Sequence, residues 1–354
     1  MELAMRVLVT GNCGYIGSVL VPMLIAEGFD VVGLDSDLYR RCTFIGDVPF
    51  ISQIEKDVRD VNEADLDGID AIIHLAGLSN DPLGDYQPSL TEEINEKASI
   101  HLARLAKKVG VKRFVFASSC SNYGASGDNF LTETAAFNPV TPYGESKVAV
   151  ERALLTMADD NFSPTYLRAS TAYGVSPRLR FDLVLNNLTA WAFTTGKVHL
   201  KSDGTPWRPL VHVEDIARAY IATIKAPIES VHNEAFNVGV TTENYRMREL
   251  AELVKSVVPG CEVDFADDAG PDKRCYRVDC DYIATTLHGF KPQWTARRGV
   301  VQLFEAYKKV GLTLDEFEGF KYKRIAHIKQ LIEEGELDSS LRWILPEHKK
   351  IAAN

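Results

Sequence analysis

The first 120 residues alternate between two textures. Short runs that are apolar at nearly every position, "RVLVTG", "DVVGLD", "AIIHLAG" and "RFVFASS", are separated by stretches with apolar residues at helical spacing, notably Ile16 to Glu27 and Glu92 to Val109. Strands this uniformly apolar are buried on both faces, and helices between them make them parallel. The pattern predicts an α/β fold, a doubly wound parallel sheet of Rossmann type. Another amphipathic helix opens in "TPYGESKVAVERAL", Thr141 to Leu154.

After Arg168 the texture changes. "SPRLRFDLVLNNLTAWAFTTGK" reads as one longer helix and "VHLKSDGTPWRPLVHVEDIARAY" as strand, loop and helix. "AFNVG", Ala235 to Gly239, reads as a short buried strand, followed by a helix from Arg246 to Val257. No Ser/Gly linker or internal repeat divides the chain. The expected organisation is a Rossmann domain over 1–175, a smaller interwoven α/β substrate lobe over 176–310 with one strand returning near 235–239, and a helical C-terminal tail over 311–354. The tail, "DEFEGFKYKRIAHIKQLIEEGELDSSLRW", is dense in charge and reads as solvated helices. A dimer or lid contact is the sharper alternative.

Composition then excludes several classes of function. With 354 residues, 45% of them hydrophobic, the chain can bury a large core without staples. Its net charge of −10 argues against nucleic acid or an anionic membrane as the main partner. No window approaches the ~18 apolar residues of a membrane span, and the start carries no cleavage-site pattern, so no signal peptide is expected. The six cysteines form no CxxC pair, which fits a reducing cytoplasm, and no His/Cys/Asp cluster has metal-ligand spacing.

The chemistry begins in "VLVTGNCGYIGSVL". Gly11, Gly14 and Gly17 sit between the first strand and the first helix, where glycine permits a tight turn and close backbone approach, and the helix N-terminus faces a pyrophosphate. Asp35 ends the second strand, where a carboxylate accepts hydrogen bonds from both ribose hydroxyls and repels a 2′-phosphate, favouring NAD over NADP. Arg40 and Arg41 follow closely and leave both an opposing influence and an exposed role open. Tyr143 and Lys147 lie at i and i+4 on one helical face. A lysine charge ~4 Å from a phenol at an effective dielectric of ~20 is worth ~4 kcal/mol, enough to lower a tyrosine pKa from ~10 by up to ~3 units before desolvation takes some back.

With these motifs, "DVRD", "HLAG", "SSCSNYG" and "WRPLVHVED", the chain resembles the extended short-chain dehydrogenases/reductases, the class of NAD-dependent nucleotide-sugar epimerases and dehydratases. The resemblance runs from Val7 to about Tyr282. It implies a catalytic trio of Ser119, Tyr143 and Lys147. Ser119 follows an apolar run, which places it at the carboxyl end of a parallel strand, the edge where such sheets bind ligands; Ser118 is its confusable neighbour. NAD contacts are implied at Gly11, Asn12, Gly14, Tyr15, Ile16 and Gly17, at Asp35, Asp57 and Val58, at Leu75, Ala76, Gly77 and Asn95, and at Tyr143 and Lys147. Substrate contacts are implied at Ser119, Ser121, Tyr143, Arg180, Asn187, Arg208 and Arg274. An ion pair of Arg208 with Glu214 or Asp215 is the structural alternative, and Lys273 and Arg277 compete with Arg274. Arg178 and Arg180 are both expected on the sugar side or at the surface, while His74 and His212 read as packed structural residues.

Two departures narrow the reaction. Family dehydratases carry an Asp-Glu pair after the catalytic Ser/Thr; here Cys120 and Ser121 stand there, which disfavours water loss. Thr171 stands where 4-epimerases of UDP-glucose type often carry Asn, which puts UDP-glucose itself in doubt. The expectation is an NAD-dependent epimerase of a nucleotide-diphosphate sugar, inverting C4 through a keto sugar, and forming a homodimer through helices near 92–109 and 148–157. A reductase of a 4-keto-6-deoxy nucleotide sugar using NAD(P)H is the alternative, and a non-catalytic NAD-binding scaffold the remote one.

Overall fold

The computed structural model describes residues 4–79, 87–270 and 275–344. Its centre is a seven-stranded sheet made of β1 (Arg6–Thr10), β2 (Asp30–Asp35), β3 (Ser52–Glu55), β4 (Ala71–His74), β5 (Arg113–Ser119), β6 (Ser163–Ala169) and β7 (Ala235–Val238). Every pairing is parallel, in the spatial order 3-2-1-4-5-6-7. The order reverses between β1 and β4, and the crevice outside the carboxyl ends there is the ligand site of such sheets. Val7, Leu8 and Val9 of β1 and Ile72 and Ile73 of β4 are fully buried, as strands covered on both faces must be.

Helices cover both faces. On one side, Leu20, Val21 and Leu24 of α1 (Gly17–Ala26) share a core with Val9, Ile73 and Val115. On the other, α2 (Ala98–Val109) and α3 (Pro142–Met157) pack through Leu102, Ala106, Val150 and Leu154. A separate core joins α4 (Val184–Thr195) to α6 (Met247–Val257) and α7 (Ala296–Val310), after α5 (Val213–Lys225) has returned to the main sheet. The strand at Ala235–Val238 leaves this second region to pair with β6 at the sheet edge.

Three expectations need correction. The long helix read from Ser176 begins only at Val184, because residues 174–183 form an irregular segment in which Asn186 and Asn187 accept from or donate to the backbone at Gly174, Arg180 and Phe181. The Glu92 to Val109 helix opens with a π-helical stretch, Glu92–Lys97, preceded by a short turn at Pro88–Thr91. π-Helical insertions often mark functional positions.

The third concerns the tail, which is docked rather than solvated. Ile328 and Leu331 of α8 (Arg324–Glu333), with Leu337 and Leu341, are buried against the sheet's second core. Each such burial contributes about 1.5–3 kcal/mol relative to exposure. The charges that suggested a solvated face tie the tail to the loop after β2: Arg41 pairs with Glu334 at 3.1 Å and with Glu336 at 2.5 Å, and Arg40 lies 3.6 Å over the Trp343 ring. Trp343 Nε1 donates to the Ser36 carbonyl at 2.6 Å. Arg40 and Arg41 are thus engaged by the tail.

Candidate active site

The carboxyl edge of the sheet opens into a cavity of about 710 Å³. Gly11, Gly14, Tyr15, Ile16 and Gly17 line one wall, and Asp35 with Asp57 and Val58 line one end. Leu75, Ala76 and Gly77 form the floor, and Ser119, Ser121, Tyr143 and Lys147 line the other end with Arg180 and Arg208.

The glycine loop is held by backbone geometry. Gly11 has φ +72°, and a Cβ there would lie 2.8 Å from the Ala76 nitrogen. A Cβ on Gly17 would lie 2.3 Å from the Gly11 carbonyl, so only glycine lets the helix start this close to the strand. Helix α1 then begins without a side-chain cap. The Ser18 and Val19 N–H groups bond back to the Gly14 and Ile16 carbonyls, while among the described residues those of Tyr15, Ile16 and Gly17 have no backbone acceptor, and the dipole there favours an anion.

Asp35 accepts from the backbone N–H of Cys13 at 3.0 Å and of Asp37 at 2.7 Å. Burial pushes its carboxyl up to about 6, against those two hydrogen bonds. Each oxygen accepts one bond, which leaves acceptor capacity for ribose hydroxyls. Arg178 is buried behind this end, donating to the Tyr39 carbonyl and pairing with Asp37 at 3.1 Å. It therefore fixes the turn after β2 and does not line the cavity. Asp57 is engaged with Arg59, whose Nη2 lies 2.7 Å away; burial disfavours its charge, but the Arg59 bonds outweigh this and hold the carboxyl below its ordinary range.

The opposite end is built by β5 and α3. Ser119 is the last residue of β5, and its hydroxyl accepts from the Ser121 N–H at 3.1 Å, capping a short 3-10 turn. Ser118 is spent differently: it donates to Glu151, which is paired with Arg168 at 2.6 Å in the core. Thr141 caps α3 by accepting from Gly144 N at 3.2 Å, and Pro142 starts the first turn, so Tyr143 enters the helix at the cavity. One turn on, Lys147 is buried, with Nζ 5.5 Å from the Tyr143 ring centroid and 4.7 Å from that of Phe116. Burial pushes the ammonium down to about 8, partly offset by the Glu151 carboxylate.

Several expected residues stand behind the cavity wall. Asn12 is buried and its amide donates to Gln53 at 2.8 Å. Asn95 accepts from Leu78 N at 2.7 Å and donates to Leu78 O at 2.9 Å, fixing the loop after β4. Ser99 donates to the Asn95 carbonyl, and His74 bridges Ser99 at 2.7 Å to Thr10 at 2.6 Å. Burial first, with the nearby Lys147 charge, pushes His74 down to about 3, so it is a neutral internal strut. His212 is likewise buried, bonded to Gln302 at 2.8 Å and stacked on Trp294. Asn187 donates to the Phe181 carbonyl and does not line the cavity. Arg274 lies outside the described residues.

Arg208 is buried in the lining and donates to the Trp207 carbonyl at 2.8 Å, whereas Glu214 and Asp215 pair with Arg218. Arg180 is held by Asp182 at 2.5 Å and by Ser79 Oγ at 2.8 Å. Cys120 is fully buried outside the lining, with Sγ donating to the Arg168 carbonyl at 3.1 Å and its thiol pushed far up by burial. Ser121 Oγ, by contrast, is buried without a protein partner, as a hydroxyl waiting for a ligand would be. Sequence reasoning missed Asp182, Tyr276 and Arg324 in the lining. No spacing signal points to them, since they arrive from irregular or distant segments. No group of three or more metal-ligating side chains occurs among the described residues, and no described helix is long and apolar enough to cross a membrane.

The glycine turn, the uncapped helix, the free valence of Asp35 and the orphan hydroxyl at Ser121 fit a dinucleotide laid along the cavity beside a second ligand. The comparisons agree. The NAD dependent epimerase/dehydratase family matches residues 7–239. A UDP-glucose 4-epimerase of Lactobacillus helveticus is 31% identical, over 82% of this chain and 92% of its own length. MoeE5, solved with UDP-glucuronic acid and NAD, aligns with a TM-score of 0.75 at 28% identity, over 86% of this chain and 99% of its own. The UDP-glucose 4-epimerase of Thermotoga maritima, solved with UDP-glucose, gives 0.75 at 25% identity, over 87% and 100%. The chain belongs to the NAD dependent epimerase/dehydratase family and is an NAD-dependent enzyme of the extended short-chain dehydrogenase/reductase type.

Proposed function

We propose that this enzyme inverts C4 of a nucleotide-diphosphate hexose, with UDP as the nucleotide that its relatives' substrates favour. The observation that carries the reading is the placement of Tyr143 and Lys147 with Ser119 in one cavity beside the glycine loop. Bound NAD supplies the hydride acceptor, and once reduced the donor, that side chains lack.

Tyr143 Oη, made acidic by the Lys147 ammonium, takes the proton of the sugar C4 hydroxyl as the carbon is oxidised. Ser119 Oγ donates to the same oxygen and holds it in line. Lys147, buried beside Gly77 and Asn95, is placed to hold the nicotinamide ribose as well. After the keto sugar turns its other face, Tyr143 returns the proton to that oxygen. Arg180 and Arg208 are placed to hold the substrate end of the cavity, where a guanidinium grips a diphosphate in a bidentate manner. Cys120 and Ser121 offer no carboxyl pair for eliminating water, and the buried thiol is held far from ionisation.

The proposal extends to domain organisation as expected from sequence, to a homodimer through the outer faces of α2 and α3, where Val109 and Leu155 are exposed, and to a reducing cytoplasm, with all six cysteines free. The test is incubation of the purified protein with UDP-glucose, UDP-galactose and their uronic acid counterparts without added cofactor. Interconversion of C4 epimers without net cofactor consumption supports the reading. Stoichiometric oxidation of added NADH or NADPH with a keto sugar assigns a reductase instead, and NAD binding with no turnover assigns a scaffold.

A further inference from the structure

We propose that Arg324, carried into the cavity by the docked C-terminal helix, is an additional cofactor-binding residue that pairs with the diphosphate of NAD. Arg324 lies outside the residues matched by the family and inside the cavity lining. Its guanidinium stacks over Tyr39, 4.1 Å from the ring centroid. Among the described residues it makes no hydrogen bond or ion pair: the acid in its surroundings, Asp182, is held by two nitrogens of Arg180.

Burial lowers its pKa first, and the neighbouring Arg180 lowers it further. Two guanidinium groups thus share a partly dehydrated space with one carboxylate, an arrangement that an anion would relieve.

The neighbours of Arg324 indicate which anion. They are Tyr39 and Cys42 of the segment after β2, Tyr15 of the glycine loop, and Arg180. Tyr39 and Cys42 follow Asp35 in the chain and Tyr15 belongs to the glycine loop, the two segments that flank the diphosphate of a dinucleotide in this fold, while Arg180 reaches in from the substrate end. Arg208 and Tyr276, on the substrate wall, are not among them. Helix α1 offers its N-terminus to this diphosphate, and Arg324 supplies a cation from the tail. Because Arg41, Arg342 and Trp343 fasten the same tail to the loop after β2 and to Asp60, the arginine is delivered by a strap with several anchors.

The experiment measures equilibrium binding of NAD, ADP-ribose and adenosine to the full chain stripped of nucleotide, for wild type, R324M and R324K. R324M keeps an apolar stem on Tyr39 and removes the charge. A charge-assisted bond of the usual strength predicts that R324M weakens NAD and ADP-ribose by about tenfold or more, leaves adenosine within about twofold, and is partly rescued in R324K. Unchanged affinity of R324M for NAD and ADP-ribose overturns the proposal. So does an equal loss for adenosine, which assigns Arg324 to packing on Tyr39.

Discussion

Lys147 Nζ stands 5.5 Å from the centre of the Tyr143 ring, one helical turn below it, in a site where its ammonium is buried. Burial pushes the lysine down to about 8. The charged lysine lowers the phenol's pKa, and the ionised phenol in turn holds the lysine charged, so the two groups titrate as a pair. Turnover with substrate saturating is therefore expected to rise with pH and level off below the ordinary tyrosine value of ~10. A rise centred at ~10, as for an isolated phenol, contradicts this, and Lys147→Met should reduce turnover by ~100-fold or more.

Asp35, proposed to hold the adenosine ribose, carries a prediction in the opposite range. Its carboxyl, pushed up to about 6 by burial, is the acceptor that ribose hydroxyls need in ionised form. NAD binding should weaken as pH falls through 6, when the carboxylate takes a proton. Titration calorimetry between pH 5 and pH 8 checks it, and Asp35→Asn should bind weakly with no such dependence.

Adjacent serines separate chemistry from scaffold. Ser119→Ala removes the proposed donor to the reacting oxygen and should lower turnover by ~100-fold with little change in NAD affinity. Ser118→Ala removes a donor to buried Glu151 and should instead cost about 1–3 kcal/mol of stability while leaving the rate largely intact. Steady-state kinetics paired with urea denaturation distinguishes the two.

His74 carries a stability prediction with a defined sign. Its folded pKa of about 3 lies below the ordinary 6.5, so the unfolded chain takes up the proton first. Stability from this group is lost as pH falls from 6.5 towards 3. His74→Leu, which strips Thr10 and Ser99 of a partner, should cost about 1–3 kcal/mol at neutral pH and make the acid decline shallower than in wild type, as read by urea denaturation at several pH values.

The sheet and the meeting of Gly11, Tyr143 and Lys147 in one cavity were legible because their signals are local. Continuous apolar runs, spaced glycines and a Tyr/Lys pair at i and i+4 each dictate geometry within a few residues. The docked tail was not legible, because its charges are satisfied by partners nearly three hundred positions away, as between Arg41 and Glu336, while Ile328, Leu331 and Leu337 are too few to stand out. Arg178 and Arg180 show the same limit. Two residues apart, one is buried under the turn at Asp37 and the other lines the cavity, a division set by an irregular segment without periodicity. Arg324 combines both difficulties, being a basic residue in a charged helix whose place depends on that helix docking.

In the proposed reaction Tyr143 moves the sugar hydroxyl proton. Its most direct test is Tyr143→Phe, with NAD binding and C4 interconversion of UDP-sugars measured on the same preparation. Cofactor affinity should stay close to wild type while the rate falls by ~100- to 10,000-fold; a variant that binds NAD and turns over at the wild-type rate overturns this role for Tyr143.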